Sequence, residues 1–123
     1  MLIYVKDILL RKDGLVIVKA VELADADYDE LVLKSDVPVL IDFSSPTCGP
    51  CRALAPILDQ LADEYADRVK IFKVNVFENV VVAGKLAVEA LPTLVMMKAG
   101  AETGRLTGMQ SKEKVKALID SQL

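Results

Sequence analysis

The segment VPVLIDF, Val37 to Phe43, sets apolar side chains on both faces of an extended stretch, a pattern that a strand can bury only when both of its faces are covered. After a short loop, Leu54, Ile57, Leu58, Leu61 and Tyr65 recur at the spacing of one helical stripe, which predicts a helix from about Gly49 to Ala66. VKIFKVNV, Val69 to Val76, then reads as a second strand. Strand, helix and strand in that order make a right-handed parallel unit, so the chain is of the α/β class, a mixed sheet with helices on its faces. Pro56 lies inside the helical stripe, where its missing N–H and its ring predict a bend.

With 123 residues, 53% of them hydrophobic, the chain can bury one core and no linker divides it. Further along, ENVVVAGKLAVEA predicts a short helix, and TLVMMK with TGRLTG predicts an antiparallel hairpin around Gly100. Ser111 is placed to cap a last helix with an apolar seam of Val115, Leu118 and Ile119. Upstream, a strand near Val21 to Leu23 precedes an amphipathic helix in DADYDELVLKS. The formal charge of −3 is spread without a basic run, which argues against nucleic acid as a partner. No apolar run approaches the roughly 18 residues of a membrane span, and charges interrupt the opening MLIYVKDILLRKDG, so a cytoplasmic setting is the expectation.

The only two cysteines, Cys48 and Cys51, fall where the loop enters the central helix. As a structural staple they would close a very short loop, worth only about 2 kcal/mol in the chain-entropy account. A metal centre needs about four ligands, and a chain with two cysteines and no histidine supplies too few, so a metal would have to bridge two chains. In a compartment that keeps thiols reduced, a working dithiol is the reading that uses the position. At a helix N-terminus the free N–H groups and the macrodipole favour an anion, so Cys48 is expected to ionise below the ordinary thiol range and act as nucleophile. Cys51, one turn further in, is expected to be shielded and to resolve the mixed disulfide. Gly49 relieves crowding in the turn, and Pro50 stiffens the first helical turn without removing a needed donor. Asp42, between Ile41 and Phe43 in a covered strand, is costly to bury unless it is used, the alternative being an acid near the strand end that reaches water.

Taken together, CGPC preceded by VLIDF and followed by LAPILDQLADEY, KVNV, LPT and TGMQSKEKVKALI resembles the thioredoxin family over roughly Val21 to Leu123. The resemblance implies a five-stranded central sheet flanked by helices and a protein-disulfide reductase recharged by a thioredoxin-reductase-like electron donor. It needs no cofactor beyond the Cys48–Cys51 pair and no metal, and it implies a monomer or weak dimer without nucleic-acid or membrane partners. It also implies that Asp42 is a buried acid whose pKa desolvation raises and which takes the Cys51 proton through water, that Lys73 tunes Asp42, that Pro92 is cis and faces the dithiol, that the Leu91 backbone pairs with an extended substrate, and that Thr47 and Gly108 belong to the docking surface. The family usually carries Trp at the positions of Thr47 and Ser44, and this chain has no Trp, which alters that surface. Residues 1–20 precede the thioredoxin-like domain of residues 21–123. Asp13–Gly14 there suggests a hairpin or added strand, while Leu2, Val5 and Leu9 also fit one helical face. Two rival readings are a non-catalytic binding subunit on the same fold and a dimer bridged by metal through the two thiolates.

Overall fold

The computed structural model describes residues 8–10 and 16–123, with side chains from residue 19 onward. Strands β1 (Ile8–Leu10) and β2 (Val16–Val18) pair antiparallel as a separate two-stranded sheet. The turn expected at Asp13–Gly14, and Leu2 and Val5 of the helical alternative, lie outside the described residues.

The main sheet has five strands: β3 (Val21–Glu22), β4 (Val39–Ser44), β5 (Lys70–Asn75), β6 (Thr93–Lys98) and β7 (Ala101–Thr107), in the spatial order β3-β5-β4-β6-β7. β4 runs parallel to β5 and antiparallel to β6, and it is buried along nearly its whole length, as a strand with two covered faces must be. Helix α1 (Gly49–Tyr65) provides the crossover between β4 and β5. Pro56 lies on its solvent side, where the Arg52 carbonyl left without its N–H partner can face water, and the helix continues as one element to Tyr65.

Strand alternation divides the core into two layers. Leu40 and Ile71 point to one face, where Leu54, Leu58 and Leu61 of α1 and Val115 and Ile119 of α3 (Lys112–Asp120) cover them. Ile41, Phe43, Phe72 and Val74 point to the other, against Tyr28, Val32 and Val82. Val82 belongs to α2 (Val80–Lys85), which stops well short of the expected span. Past its end Ala87 adopts a left-handed φ of 52°, and Arg105 of β7 donates to the freed carbonyls of Leu86 and Ala87 at 2.5 and 3.4 Å.

The segment expected as an amphipathic helix in DADYDELVLKS is a short 3₁₀ turn at Asp25–Asp27 followed by one wide turn at Asp29–Leu33, closed by Lys34 N–H to the Asp29 carbonyl at 3.1 Å. Only Tyr28 and Val32 are buried there, too few apolar positions to hold a longer helix against the sheet. The β6–β7 hairpin turns through Ala99 and Gly100 with φ of 51° and 80°, the left-handed pair that tight hairpins favour. Among the described residues no helix is long and apolar enough to cross a membrane.

Candidate active site

Three loops meet at the edge of the sheet where β4 ends. Phe43 pairs with Thr93, so the chain just before β6 lies beside the residue that leaves β4, and Val76 N–H donates to the Ser44 carbonyl at 3.0 Å to bring in the end of β5. Between Ser44 and α1 the chain closes on itself. Cys48 N–H donates to the Ser45 carbonyl at 3.3 Å, and the Ser45 and Thr47 hydroxyls stand 3.5 Å apart. The turn delivers Cys48 as the N-cap of α1, with Pro50 in the first helical turn where a missing N–H costs nothing.

Cys48 and Cys51 are joined by a disulfide, with their Cα atoms 5.2 Å apart. The Cys48 Sγ accepts from the Cys51 N–H at 3.2 Å, so one donor left free by the start of the helix points at this sulfur. Cys48 is half-buried and Cys51 is buried, which gives the two sulfurs unequal access to a partner. A negative charge on Cys48 would meet a backbone N–H and the positive end of the α1 dipole.

Asp42 sits two residues before Ser44 on β4, in register with Lys73 on β5. It shares parity with Leu40, so it lies on the face that α1 covers, and it is only 1% exposed. Among the described residues its Oδ1 has no hydrogen-bond partner. Burial pushes its carboxyl up to about 7, and the neighbouring Lys73 ammonium opposes that shift. A carboxyl that titrates near neutrality can both take and release a proton in the working pH range.

The Leu91–Pro92 bond is cis, and the Pro92 carbonyl accepts from Gly108 N–H at 2.8 Å, which ties the β6 entrance to the turn after β7. Gly108 has a φ of 83°, a left-handed conformation that suits glycine. The Thr93 hydroxyl closes the same loop onto the Ala90 carbonyl at 2.6 Å. Thr47 is exposed on the dithiol loop and Leu91 is half-buried next to Pro92. Register and hydrogen bonds thus bring Asp42, Lys73, Ser44, Pro92 and Gly108 to the sheet edge that bears the dithiol.

The sequence did not show a polar cleft at the same edge, lined by Glu22, Ser44, Lys73, Asn75 and Glu78. Its walls come from three strands and two loops that become neighbours only through the sheet order, so no local pattern carries it. Among the described residues no group of three or more His, Cys, Asp or Glu side chains could hold a metal ion.

Comparison with known proteins points to one family. The family described as Thioredoxin matches residues 19–121. The chain is 44% identical over 101 residues to the thioredoxin of Acidithiobacillus ferridurans, covering 82% of this chain and 94% of that one. It is 39% identical over 104 residues to thioredoxin 1 of Synechococcus elongatus, covering 85% and 97%. It is 37% identical over 105 residues to the thioredoxin of Haemophilus influenzae, covering 85% and 98%.

Proposed function

This chain belongs to the thioredoxin family and is a thiol-disulfide oxidoreductase that reduces protein disulfides by dithiol exchange, and within that activity we propose a distinct role for each residue of the site. Its redox group is the cysteine pair itself, not an external cofactor. The observation that carries the assignment is the inequality of the two sulfurs. Cys48 is the more accessible and caps α1 with a donor aimed at it, whereas Cys51 lies buried beneath.

In the reduced protein Cys48 is the nucleophile. Its thiolate attacks one sulfur of the substrate disulfide, that S–S bond breaks, and the departing substrate thiolate takes a proton from solvent. Cys51 then gives its proton to the Asp42 carboxylate, and the resulting thiolate attacks Cys48 Sγ. The Cys48–Cys51 bond forms, the mixed disulfide breaks, and the second substrate thiolate leaves to be protonated. Two electrons have passed to the substrate and the pair awaits a thioredoxin-reductase-like donor. Holding Cys51 one turn from Cys48 makes the second attack intramolecular, which is worth many kcal/mol of orientation.

The remaining assignments follow the loops. Gly49 and Pro50 shape the turn between the sulfurs. Lys73 moderates the basicity of Asp42. Thr47, the Leu91 backbone beside cis Pro92, and Gly108 form the groove in which an extended substrate segment lies, adding main-chain hydrogen bonds. We place the protein in the cytoplasm, where thiols are kept reduced, as a monomer or weak dimer without nucleic-acid or membrane partners. Residues 1–20 form an extension ahead of the domain of residues 21–123.

Trapping tests the roles of the sulfurs. Cys51→Ser should accumulate a covalent complex with a disulfide-bearing protein on a non-reducing gel, and Cys48→Ser should not. Equal trapping by the two variants would reverse or abolish the assignment.

A further inference from the structure

Three large apolar side chains stand open to solvent just past the end of β5: Phe77, Val80 and Val81, exposed to 65%, 67% and 53%. The backbone beneath them is pinned. Asn75 gathers the turn, its side-chain oxygen accepting from Phe77 N–H at 3.0 Å and its carbonyl from Glu78 and Asn79 N–H at 3.1 and 3.0 Å. The Asp25 carboxylate holds the N–H groups of Val81 and Val82 at 3.1 and 2.9 Å. Val82 and Ala83 of α2 turn into the core, which leaves the other three side chains outside. A partner that meets them finds a surface already formed, and binding there orders no loop. Position ties this patch to the dithiol. Val76 N–H donates to the Ser44 carbonyl at 3.0 Å, which sets Phe77 beside the strand end where the dithiol loop departs. Ser44, Ser45 and Pro46 of that loop line one cleft of about 460 Å³ together with Asn75, Glu78 and Asn79 of the turn. Ser44, Ser45 and Thr47 carry hydroxyls, so the loop itself offers little apolar surface next to Cys48. An extended chain advances about 3.3 Å per residue, and a segment whose cysteine meets Cys48 crosses to the turn within a few residues.

We propose that Phe77, Val80 and Val81 form a docking ledge for substrate, taking a bulky apolar side chain, aromatic or branched aliphatic, a few residues from the disulfide cysteine under attack. The ledge rests on the role of Cys48 as attacking sulfur and adds which segments that sulfur prefers. These are extended stretches that expose an apolar side chain beside their disulfide, as partly unfolded proteins do. Size selects this occupant over a second copy of the chain. Three partly exposed side chains offer only a few hundred Å², against the roughly 800 Å² per partner of a stable interface. A substrate segment needs less, because the forming S–S bond holds it to Cys48 and the ledge has only to orient it. Charge narrows the class further. Glu22, Asp27 and Glu78 line the neighbouring cleft against the one cation of Lys73, so an acidic segment is repelled. Strand β2 of the N-terminal extension lies by α1, on the other layer of the sheet from α2, and does not compete for the patch.

The test uses short peptides whose one cysteine is disulfide-linked to a coloured aromatic thiol, with Phe placed at a series of distances on either side of it, or Ser in its place. Each is mixed with the reduced protein in a stopped-flow instrument. The Cys48 thiolate attacks the peptide sulfur, the bond to the aromatic thiol breaks, and the coloured thiolate leaves with the electron pair, so colour reads the attack. At the best distance the native protein should attack the Phe peptide about fivefold faster than the Ser peptide, and Phe77→Ser should bring that ratio to about one. Should that variant not fold, Val80→Ser combined with Val81→Ser should lower the ratio about twofold. A ratio near one for the native protein at every distance, or a preference that survives these substitutions, overturns the ledge while the role of Cys48 stands. Equal colour release by Cys48→Ser removes Cys48 as the attacking sulfur, and the ledge falls with it. If sedimentation shows a dimer that Phe77→Ser turns into a monomer, the patch belongs to a second copy and the ledge is likewise overturned.

Discussion

The two ends of α1 rest on the same face of the same sheet, yet they treat polar groups in opposite ways. At the C-terminal end the polar groups near the core are partnered. The Tyr65 hydroxyl donates to Asp120 at 2.5 Å, Arg68 and Lys116 stand 5.0 and 5.3 Å from the centre of its ring, and Glu64 accepts from Lys112 at 2.8 Å. At the N-terminal end Asp42 is buried with one oxygen unpartnered among the described residues, beside a dithiol whose outer sulfur is only half covered. Unsatisfied buried polar groups are rare because each costs free energy, and this one stands at the end that bears the dithiol. Stability resides at the far end of the helix and chemistry at the near one.

Asp42→Asn breaks this contrast with the largest expected effect. The carboxyl ionises near 7 in the fold against a usual 3.8 in the open chain. As pH rises from about 4 to 7 the unfolded chain gives up this proton first, so the fold loses stability across that window, and the full cost is present above 7. At 1.36 kcal/mol per pH unit the cost is about 4 kcal/mol. Asp42→Asn should therefore raise the urea-unfolding stability by a few kcal/mol at pH 8, and by much less at pH 4, while lowering turnover by about tenfold or more. Equal stability of the two proteins at pH 8 would mean that the near end carries no such burden.

How far the sequence reaches follows the same division. The β4–α1–β5 unit, the dithiol at a helix start and the buried acid were legible because a continuous apolar run, a period-3.6 stripe and a four-residue motif are local. The caps that come from elsewhere were not. The Asp25 carboxylate accepts from the N–H groups of Val81 and Val82 at 3.1 and 2.9 Å, and Arg105 holds the other end of α2 while pairing with Glu102 at 2.7 Å. In sequence each of these is an ordinary charge on a solvated stretch. The cis bond before Pro92 was reachable only by resemblance, since about 5–6% of X–Pro bonds are cis. The shortness of α2 and the single turns at Asp25–Asp27 and Asp29–Leu33 depend on which side chains the sheet leaves room to bury, a property of the assembled core.

Tyr65→Phe probes the far end with a smaller effect. It keeps the ring in the core and removes one hydrogen bond to Asp120, whose carboxylate can turn to water. The expected loss is about 1 kcal/mol in urea unfolding, with turnover unchanged. Burial first, then the hydrogen bond to Asp120, hold the phenol at about 12. An ultraviolet titration should accordingly lose its component near 12 in this variant. A drop in turnover instead would show that the two ends are coupled through α1.

The mildest test concerns α3, the helix that supplies Asp120 to this far end. Ser111 caps it, its hydroxyl accepting from Lys114 N–H at 3.2 Å, and Val115 and Ile119 then bury against the sheet. Removing a cap of this kind costs about 1 kcal/mol in general, and less where packing rather than the cap sets the first turn. Here Val115 falls one turn after Ser111 and is fully buried, so the helix start is fixed twice, and Ser111→Ala should cost at the low end, about 0.5 kcal/mol. Amide exchange should quicken at Lys114 and stay slow at Ile119. Faster exchange spreading to Ile119 would show that the cap, and not the buried seam, keeps α3 on the sheet, and that the far end depends on one surface serine.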